Sequence, residues 1–248
     1  MKNHKNPIYL VISFIIKQIN ERYYNKQIFN FLKKLNHKIK INVAFDVGSH
    51  HGESIDLYLK SFTQLNSLYS FEPYSKSFDI LKKKFSNNQK IRLNNIAISN
   101  ETGLRTLNIA EAEDGQSTLN EMNQESKWLF IKKIFMASKK IYSNKENVKV
   151  DKLSNIYNGN IDFLKIDTEG NELKVLKSCN QLIKQTKIIF IEIHHSKMYK
   201  NYDSSLIYNF LIDNSFVEIK RFKFPLMAWN DVVFINKELV DISIFDRD

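Results

Sequence analysis

Apolar positions in this chain alternate, from about Ile41 onward, between short continuous runs and stripes spaced three or four apart. Runs of that kind read as buried strands, and the stripes read as helix faces packed on them. Val43–Val47 predicts a strand, and Glu53–Phe62 a helix carrying Ile55, Leu57, Leu59 and Phe62. Ser67–Phe71 predicts the next strand, and Phe78, Leu81 and Phe85 mark the buried stripe of the helix after it. Ile91–Ile98 predicts a third strand and Leu104–Ile109 an added one. Further on, strands are expected at Val148–Val150, Ile161–Ile166 and Lys187–Ile193, with helices at Glu172–Cys179 and Leu206–Ile212. Phe216–Ile219 and Val232–Ile235 close the series as an antiparallel pair. Strand and helix in regular alternation imply an α/β fold with a mostly parallel sheet.

Two segments depart from that rhythm. Residues 111–147 are polar at first and then carry Trp128, Leu129, Phe130, Ile134 and Phe135. The expectation is a loop followed by a helix, an insertion longer than a normal connection and placed to cover a site. At the other end, Ile8–Ile16 is an apolar run followed by Lys17, Gln18, Glu21 and Arg22, then by Ile28, Phe29, Phe31, Leu32 and Leu35. The run lacks a small-residue cleavage site and falls short of the ~20 apolar residues a bilayer span needs. It reads as one or two helices packed on the domain or on a partner, with peripheral membrane contact as the minority reading. The expected organisation is therefore a helical extension over residues 1–40 and one domain over 41–248, with 111–147 as a substrate-side insertion.

Composition narrows the picture modestly. A chain of 248 residues with 43% hydrophobic and 26% charged positions can bury a full core. Its single cysteine, Cys179, rules out an intrachain disulfide framework, and no Cys/His spacing suits structural zinc. The net charge of +10 comes mainly from dispersed lysines, which read as a solvated surface rather than a specific nucleic-acid interface.

The chemistry begins at Val43-Ala44-Phe45-Asp46-Val47-Gly48-Ser49-His50-His51-Gly52-Glu53-Ser54. An apolar strand runs into Asp-x-Gly-x-x-x-Gly and then a helix. A dinucleotide loop would need Gly-x-Gly-x-x-Gly, whose bare amides hold a pyrophosphate. Here Asp46 places a carboxylate where a phosphate would sit, and charge repulsion makes that a poor phosphate cradle. A phosphate-free nucleoside bearing an ammonium, such as S-adenosylmethionine, suits the loop better. Glu72, ending the second strand, is placed to accept hydrogen bonds from both hydroxyls of a ribose.

Four segments resemble the FkbM family of methyltransferases. They are Phe45-Asp46-Val47-Gly48-Ser49-His50-His51-Gly52, Ser70-Phe71-Glu72-Pro73, Asn95-Ile96-Ala97-Ile98-Ser99 with Gly103, and Phe163-Leu164-Lys165-Ile166-Asp167-Thr168-Glu169-Gly170-Asn171-Glu172. The last is the most specific. Val148-Lys149-Val150-Asp151-Lys152-Leu153 and Ile191-Glu192-Ile193-His194 add smaller echoes, whereas His50 stands where the family usually has Asn. The resemblance implies a Rossmann-like class I methyltransferase fold and S-adenosyl-L-methionine held by Asp46, Gly48, Ser49, His50, Gly52, Glu72, Pro73, Ile96, Ala97 and Asp167. It also implies O-methylation of a hydroxyl on a sugar, a glycan or glycolipid, or a small metabolite. The single cysteine and the short N-terminal apolar run lead to an expected place in the cytoplasm, with a peripheral position at the inner face of a membrane as the alternative. Ser117 and Thr118 resemble a polar pair near the cofactor in that family.

Ligands of such sheets sit beyond the carboxyl ends of the strands, where Asp167, Glu169, Glu192, His194 and His195 fall. A neutral hydroxyl is a weak nucleophile, so a base that takes its proton during attack speeds methylation. Asp167 or Glu169 is expected to position the hydroxyl, with His194 or His195 as base. The site is expected to work without a metal, although Asp167, Glu169 and a histidine are acceptable ligands for one. Tyr74, Trp128 and Phe130 are candidates to stack on the cofactor or cover the acceptor. Three rival readings are a nucleic-acid methyltransferase, a glycosyltransferase using Asp167-x-Glu169 for a metal-diphosphate, and a binding module without catalysis. The first lacks the Asn/Asp-Pro-Pro-aromatic motif that grips a base amine, and the second leaves Asp46 and Glu72 without a role.

Overall fold

Ten strands carry the architecture: β1 (Val43–Val47), β2 (Ser67–Phe71), β3 (Ile91–Asn94), β4 (Ala97–Ile98), β5 (Gly103–Ala110), β6 (Tyr142–Asp151), β7 (Ile161–Ile166), β8 (Thr186–His194), β9 (Phe216–Lys223) and β10 (Trp229–Asn236). The computed structural model describes residues 23–110, 114–127, 142–223 and 228–245. Seven of the strands form one sheet in the order β3-β2-β1-β7-β8-β10-β9. All its pairings are parallel except those of β10, which runs antiparallel to both β8 and β9. The order reverses at β1 and β7, so a crevice opens above their carboxyl ends.

The central strands are buried on both faces, which is why they read as unbroken apolar runs. Every residue of β7 is buried. Along β8, Ile188 and Phe190 enter one core layer, while Ile189, Ile191 and Ile193 enter the other. The first layer is covered by α1 (Asn25–Lys38), α2 (Glu53–Ser61) and α3 (Ser75–Phe85). The second is covered by α4 (Leu153–Ile156), α5 (Glu172–Ser178) and α6 (Ser204–Asp213).

Helix α1 belongs to the first core layer through Ile28, Leu32 and Leu35, a stripe spaced four and three apart. Phe31 meets the ring of Phe222 edge-on at 5.4 Å, and Lys38 Nζ donates to Ile244 O at 2.8 Å. Burying three such aliphatic side chains stabilises the docked helix by about 1.5–3 kcal/mol each. The apolar run Ile8–Ile16 lies outside the described residues. Among the described residues, no helix is long and apolar enough to cross a membrane.

Two expectations need correction. Ile91–Ile98 is not one strand: β3 ends at Asn94 in the large sheet, and β4 pairs with β6 in a separate sheet ordered β4-β6-β5. The break falls at Asn95, whose side-chain amide donates to Glu72 O at 2.8 Å and Pro73 O at 3.1 Å and so draws the chain out of the sheet. The second correction is β6, which begins at Tyr142 rather than Val148 and takes the last residues of the expected 111–147 insertion. Polar residues of its first half lie opposite β5, Asn147 against Thr106 and Lys145 against Asn108, so no apolar alternation announces them. The expected insertion helix around Trp128–Phe135 lies outside the described residues.

Candidate functional site

A cavity of about 480 Å³ opens at the carboxyl ends of β1, β2, β7 and β8, within the range of small-molecule sites. Its first wall is the turn after β1. Gly48 lies at φ +87°, and a Cβ there would come within 1.7 Å of Asp167 O, so only glycine lets this turn meet the turn after β7. Gly48 and Ser49 both donate backbone N–H groups to Phe71 O, fixing the turn to β2.

Glu72 faces the same cavity. One carboxylate oxygen accepts from His50 N at 2.8 Å and the other from Tyr74 N at 2.9 Å. Burial pushes its pKa up to about 7, against the opposing pull of those two amides. Each oxygen retains a further lone pair for a ligand hydroxyl. Beside it Pro73, Ile96, Ala97, Leu107 and Leu119 form an apolar wall.

Asp46 does not share that position. Its side chain is fully buried beneath the turn, absent from the cavity wall, with one oxygen accepting from Ser54 Oγ at 2.6 Å. The other lies 3.4 Å from Lys165 Nζ. The register of the parallel pair sets Asp46 directly beside Lys165 of β7, so an internal cation already answers its charge. Asp46, expected among the cofactor-binding residues, therefore lies beneath the turn and not on the cavity wall. Gly52 is also off the wall: it has φ +83°, and a Cβ there would strike the Phe85 ring at 2.3 Å, so it serves helix packing. Gly48, Ser49, His50, Glu72, Pro73, Ile96 and Ala97 do line the cavity.

Lys165 Nζ also donates to Gly48 O at 2.7 Å and lies 3.3 Å from Asp167 Oδ2. Burial alone would lower its pKa, but Asp167 and Asp46 hold it well above the usual range, so it is charged. Glu169, just beyond Asp167, has φ +52° in the left-handed region, a strain of about 1–3 kcal/mol for a residue with a side chain. Three residues hold that strain. Thr118 Oγ1 donates to Glu169 O at 2.6 Å, Tyr199 OH donates to Glu169 Oε2, and buried Glu172 accepts from Thr168 N and Gly170 N.

Asp167, Glu169 and Glu192 line the far end of the cavity, but neither histidine does. His194 is 2% exposed and sits behind the carboxylates, its Nε2 3.1 Å from Glu192 Oε1 and 3.9 Å from Glu169 Oε2. Burial would lower its pKa, yet Glu192, Glu169 and Glu172 push it up to about 10. Burial, reinforced by Asp167, pushes Glu192 upward despite His194. His195 is exposed and its ring is paired with Asn230 Nδ2, away from the cavity. The expectation of a histidine base thus does not fit the geometry, because the carboxylates stand between His194 and the cavity. Tyr74 is likewise buried among Ala97, Leu107 and Val150 rather than facing the cavity. Ser117 lines the cavity whereas Thr118 braces Glu169, and Trp128 and Phe130 lie outside the described residues.

Sequence reasoning missed Asp231 and Tyr24, which both line the cavity. Tyr24 OH donates to Asp231 Oδ2 at 2.7 Å, and burial with help from Asp167 raises Asp231 to about 6. Asp231 lies directly across from Glu192 in the β10–β8 ladder. Two acids facing each other in a sheet are destabilising, and here Tyr24 bonds the one while His194 lies against the other. The available signal was an acid opening the apolar run Val232–Ile235.

A search of curated protein sequences finds no match to the chain. Among solved structures, a methyltransferase FkbM from Methylobacillus flagellatus KT is 13% identical with a TM-score of 0.52; the match covers 79% of this chain and 44% of that one. The chain thus spans less than half of that protein's length. A magnesium protoporphyrin IX methyltransferase from Synechocystis PCC 6803 with bound SAM is 9% identical over 88% of this chain and 80% of that one, with a TM-score of 0.49. A putative rRNA-methylase from Clostridium thermocellum gives 9% identity, coverage of 85% and 93%, and a TM-score of 0.49. The family model for the methyltransferase FkbM domain matches residues 46–223, which contain the turn after β1, Glu72 and the Asp167–Glu172 segment, and the chain belongs to that family.

Proposed function

We propose that this protein transfers a methyl group from S-adenosylmethionine to a hydroxyl of a sugar, a glycan or glycolipid, or a small metabolite. The carrying observation is one cavity with two chemically different halves meeting at Gly48 and Asp167. One half pairs the apolar wall of Ile96 and Ala97 with the carboxyl of Glu72, which suits a nucleoside: flat ring against the wall, ribose hydroxyls on the acid. The other half is lined by Asp167, Glu169, Glu192 and Asp231. That acidic surface favours a cationic, phosphate-free cofactor and disfavours a polyphosphate or nucleic-acid backbone.

When bound, S-adenosylmethionine supplies a methyl on a sulfonium, and the C–S bonding electrons remain with sulfur as the methyl passes to the acceptor oxygen. Glu72 and the amides of the turn after β1 orient the nucleoside. Asp167, held in place by Lys165 at 3.3 Å, accepts the hydrogen bond of the acceptor hydroxyl and takes its proton as the O–C bond forms. Glu169 and Glu192 complete the wall that fixes the acceptor in line.

Titration calorimetry with S-adenosylmethionine and S-adenosylhomocysteine tests the first half, with saturable one-to-one binding expected. Mass spectrometry of carbohydrates and metabolites incubated with enzyme and isotopically labelled cofactor tests the second. Absence of cofactor binding would overturn the whole reading. Label found on nitrogen or carbon rather than oxygen would overturn the hydroxyl acceptor.

A further inference from the structure

Glu169 and Glu192 take no proton in methyl transfer through Asp167, and with His194 they form a group of their own. Each offers a ligand atom, and these atoms lie within 4.8 Å of one another. His194 Nε2 is 3.1 Å from Glu192 Oε1 and 3.9 Å from Glu169 Oε2. Donors coordinating one ion at about 2.0–2.3 Å stand about 3.0–3.7 Å apart, so this spacing is close to that of a coordination shell.

The hydrogen bonding points the same way. His194 is 2% exposed, yet neither of its ring nitrogens makes a hydrogen bond among the described residues, and Glu192 Oε1 makes none either. Nε2 and Oε1 lie 3.1 Å apart as an ion pair without hydrogen-bond geometry, so each keeps hydrogen-bonding capacity for a third partner. Buried polar atoms of this kind are normally satisfied. The rings of Tyr199 and Tyr202 stand edge-on to His194 at 5.2 and 5.5 Å and hold it in that orientation. Tyr199 OH, bonded to Glu169 Oε2, orients the second ligand as supporting contacts do in metal sites. Around the group Asp167, Glu172 and Asp231 add further carboxyls, while Lys165 is already committed to Asp46 and Asp167.

We propose that Glu169, Glu192 and His194 bind a divalent cation of the manganese–zinc class at the acceptor end of the cavity. Two carboxylates with one imidazole make a mixed oxygen–nitrogen set, which suits such ions better than an all-oxygen calcium cage. Glu169 and Glu192 line the cavity, so open coordination positions face the acceptor. There the ion draws electron density from the acceptor oxygen and eases loss of its proton to Asp167. That role rests on the methyl-transfer reading. The ion site itself does not.

The test is titration of the chelator-treated full chain with Mn2+, followed by electron paramagnetic resonance and run without cofactor or acceptor. Its failure therefore leaves cofactor binding intact, and failure of cofactor binding leaves it intact. One saturable Mn2+ per chain is expected, weakened roughly tenfold or more by Glu192→Gln and by His194→Gln. The second candidate cluster, His50, His51 and Glu53, lies at the turn after β1, with the Glu53 side chain 66% exposed. His51→Ala should leave the Mn2+ affinity unchanged. Pulsed resonance on the His51→Ala protein should show imidazole nitrogen coupled to the ion, a readout that does not depend on the Glu192 or His194 variants folding. No saturable binding, no nitrogen coupling, or affinity unchanged in both variants would each overturn the site.

Discussion

The two halves of the cavity carry acids under opposite conditions. Against Ile96 and Ala97 a single carboxyl, Glu72, is satisfied by two backbone amides that belong to the turns around it. Beyond Gly48, four carboxyls, Asp167, Glu169, Glu192 and Asp231, line one surface, with Lys165 and His194 as the nearby basic side chains. Backbone amides are fixed by the fold, so the position of the Glu72 carboxyl is set once the chain folds. Crowded carboxyls depend on partners and protons, so the second half is tunable and costly. That contrast suits a half that holds an invariant ligand and a half that handles the reacting proton.

The largest effect should come from the acceptor half. Asp167→Ala removes the group assigned to the hydroxyl proton and leaves the Glu72 half in place. Turnover should fall roughly a thousandfold, the scale of a lost general base, while calorimetric affinity for S-adenosylmethionine changes by only a few fold. If turnover survives, the assignment of roles between the halves is wrong.

Lys165→Met probes the junction next. It strips the cation from Asp46, which is fully buried and among the described residues keeps Ser54 as its remaining polar side-chain partner. Leaving a buried charge uncompensated costs about 3–5 kcal/mol, measurable by urea denaturation. The double variant Asp46→Asn/Lys165→Met should recover much of that loss, because both charges are then gone. Additive losses would show that the two residues are not coupled.

Asp46 and Lys165 also show what the sequence withheld. The motif around Asp46 is legible, and so is the strand that carries it; the direction of its side chain is not. That direction follows from pairing β1 with β7, more than a hundred residues later, which sets Asp46 beside Lys165. Glu72, expected to hold a ribose, lines the cavity because it lies just past the end of β2, where the chain has already left the sheet. Asp231 follows the same rule as Asp46: its meaning comes from Glu192 across the β10–β8 ladder. Strand β6 escaped notice because its first half carries Asn144, Lys145 and Glu146, which offer no apolar period. Local pattern thus revealed the seven strands of the large sheet, with their ends displaced by a few residues. Side-chain partnership depended on register, which is non-local.

Glu72→Ala tests the other half on its own. Loss of an acceptor for two ribose hydroxyls should weaken cofactor binding by about 2 kcal/mol, roughly 30-fold in Kd. Turnover at saturating cofactor should fall far less than for Asp167→Ala. An equal loss of turnover in the two variants would erase the division of labour between the halves.

The smallest effect is a pH dependence confined to Glu72. Its carboxyl moves from an ordinary 4.5 to about 7 in the folded chain, chiefly through burial. A raised carboxyl pKa means the fold prefers the protonated form. This group's contribution to stability is therefore present below pH 4.5 and is lost as pH rises through 7. A ribose is held best by the ionised form, so binding and folding pull in opposite directions. About one Glu72 in ten is ionised at pH 6 and about nine in ten at pH 8, so cofactor affinity should rise by up to about tenfold over that interval. The increase in melting temperature on adding S-adenosylhomocysteine should grow correspondingly, since bound ligand stabilises by mass action. In Glu72→Ala both trends should flatten. A rise of equal size in that variant would move the titrating group to the acceptor half.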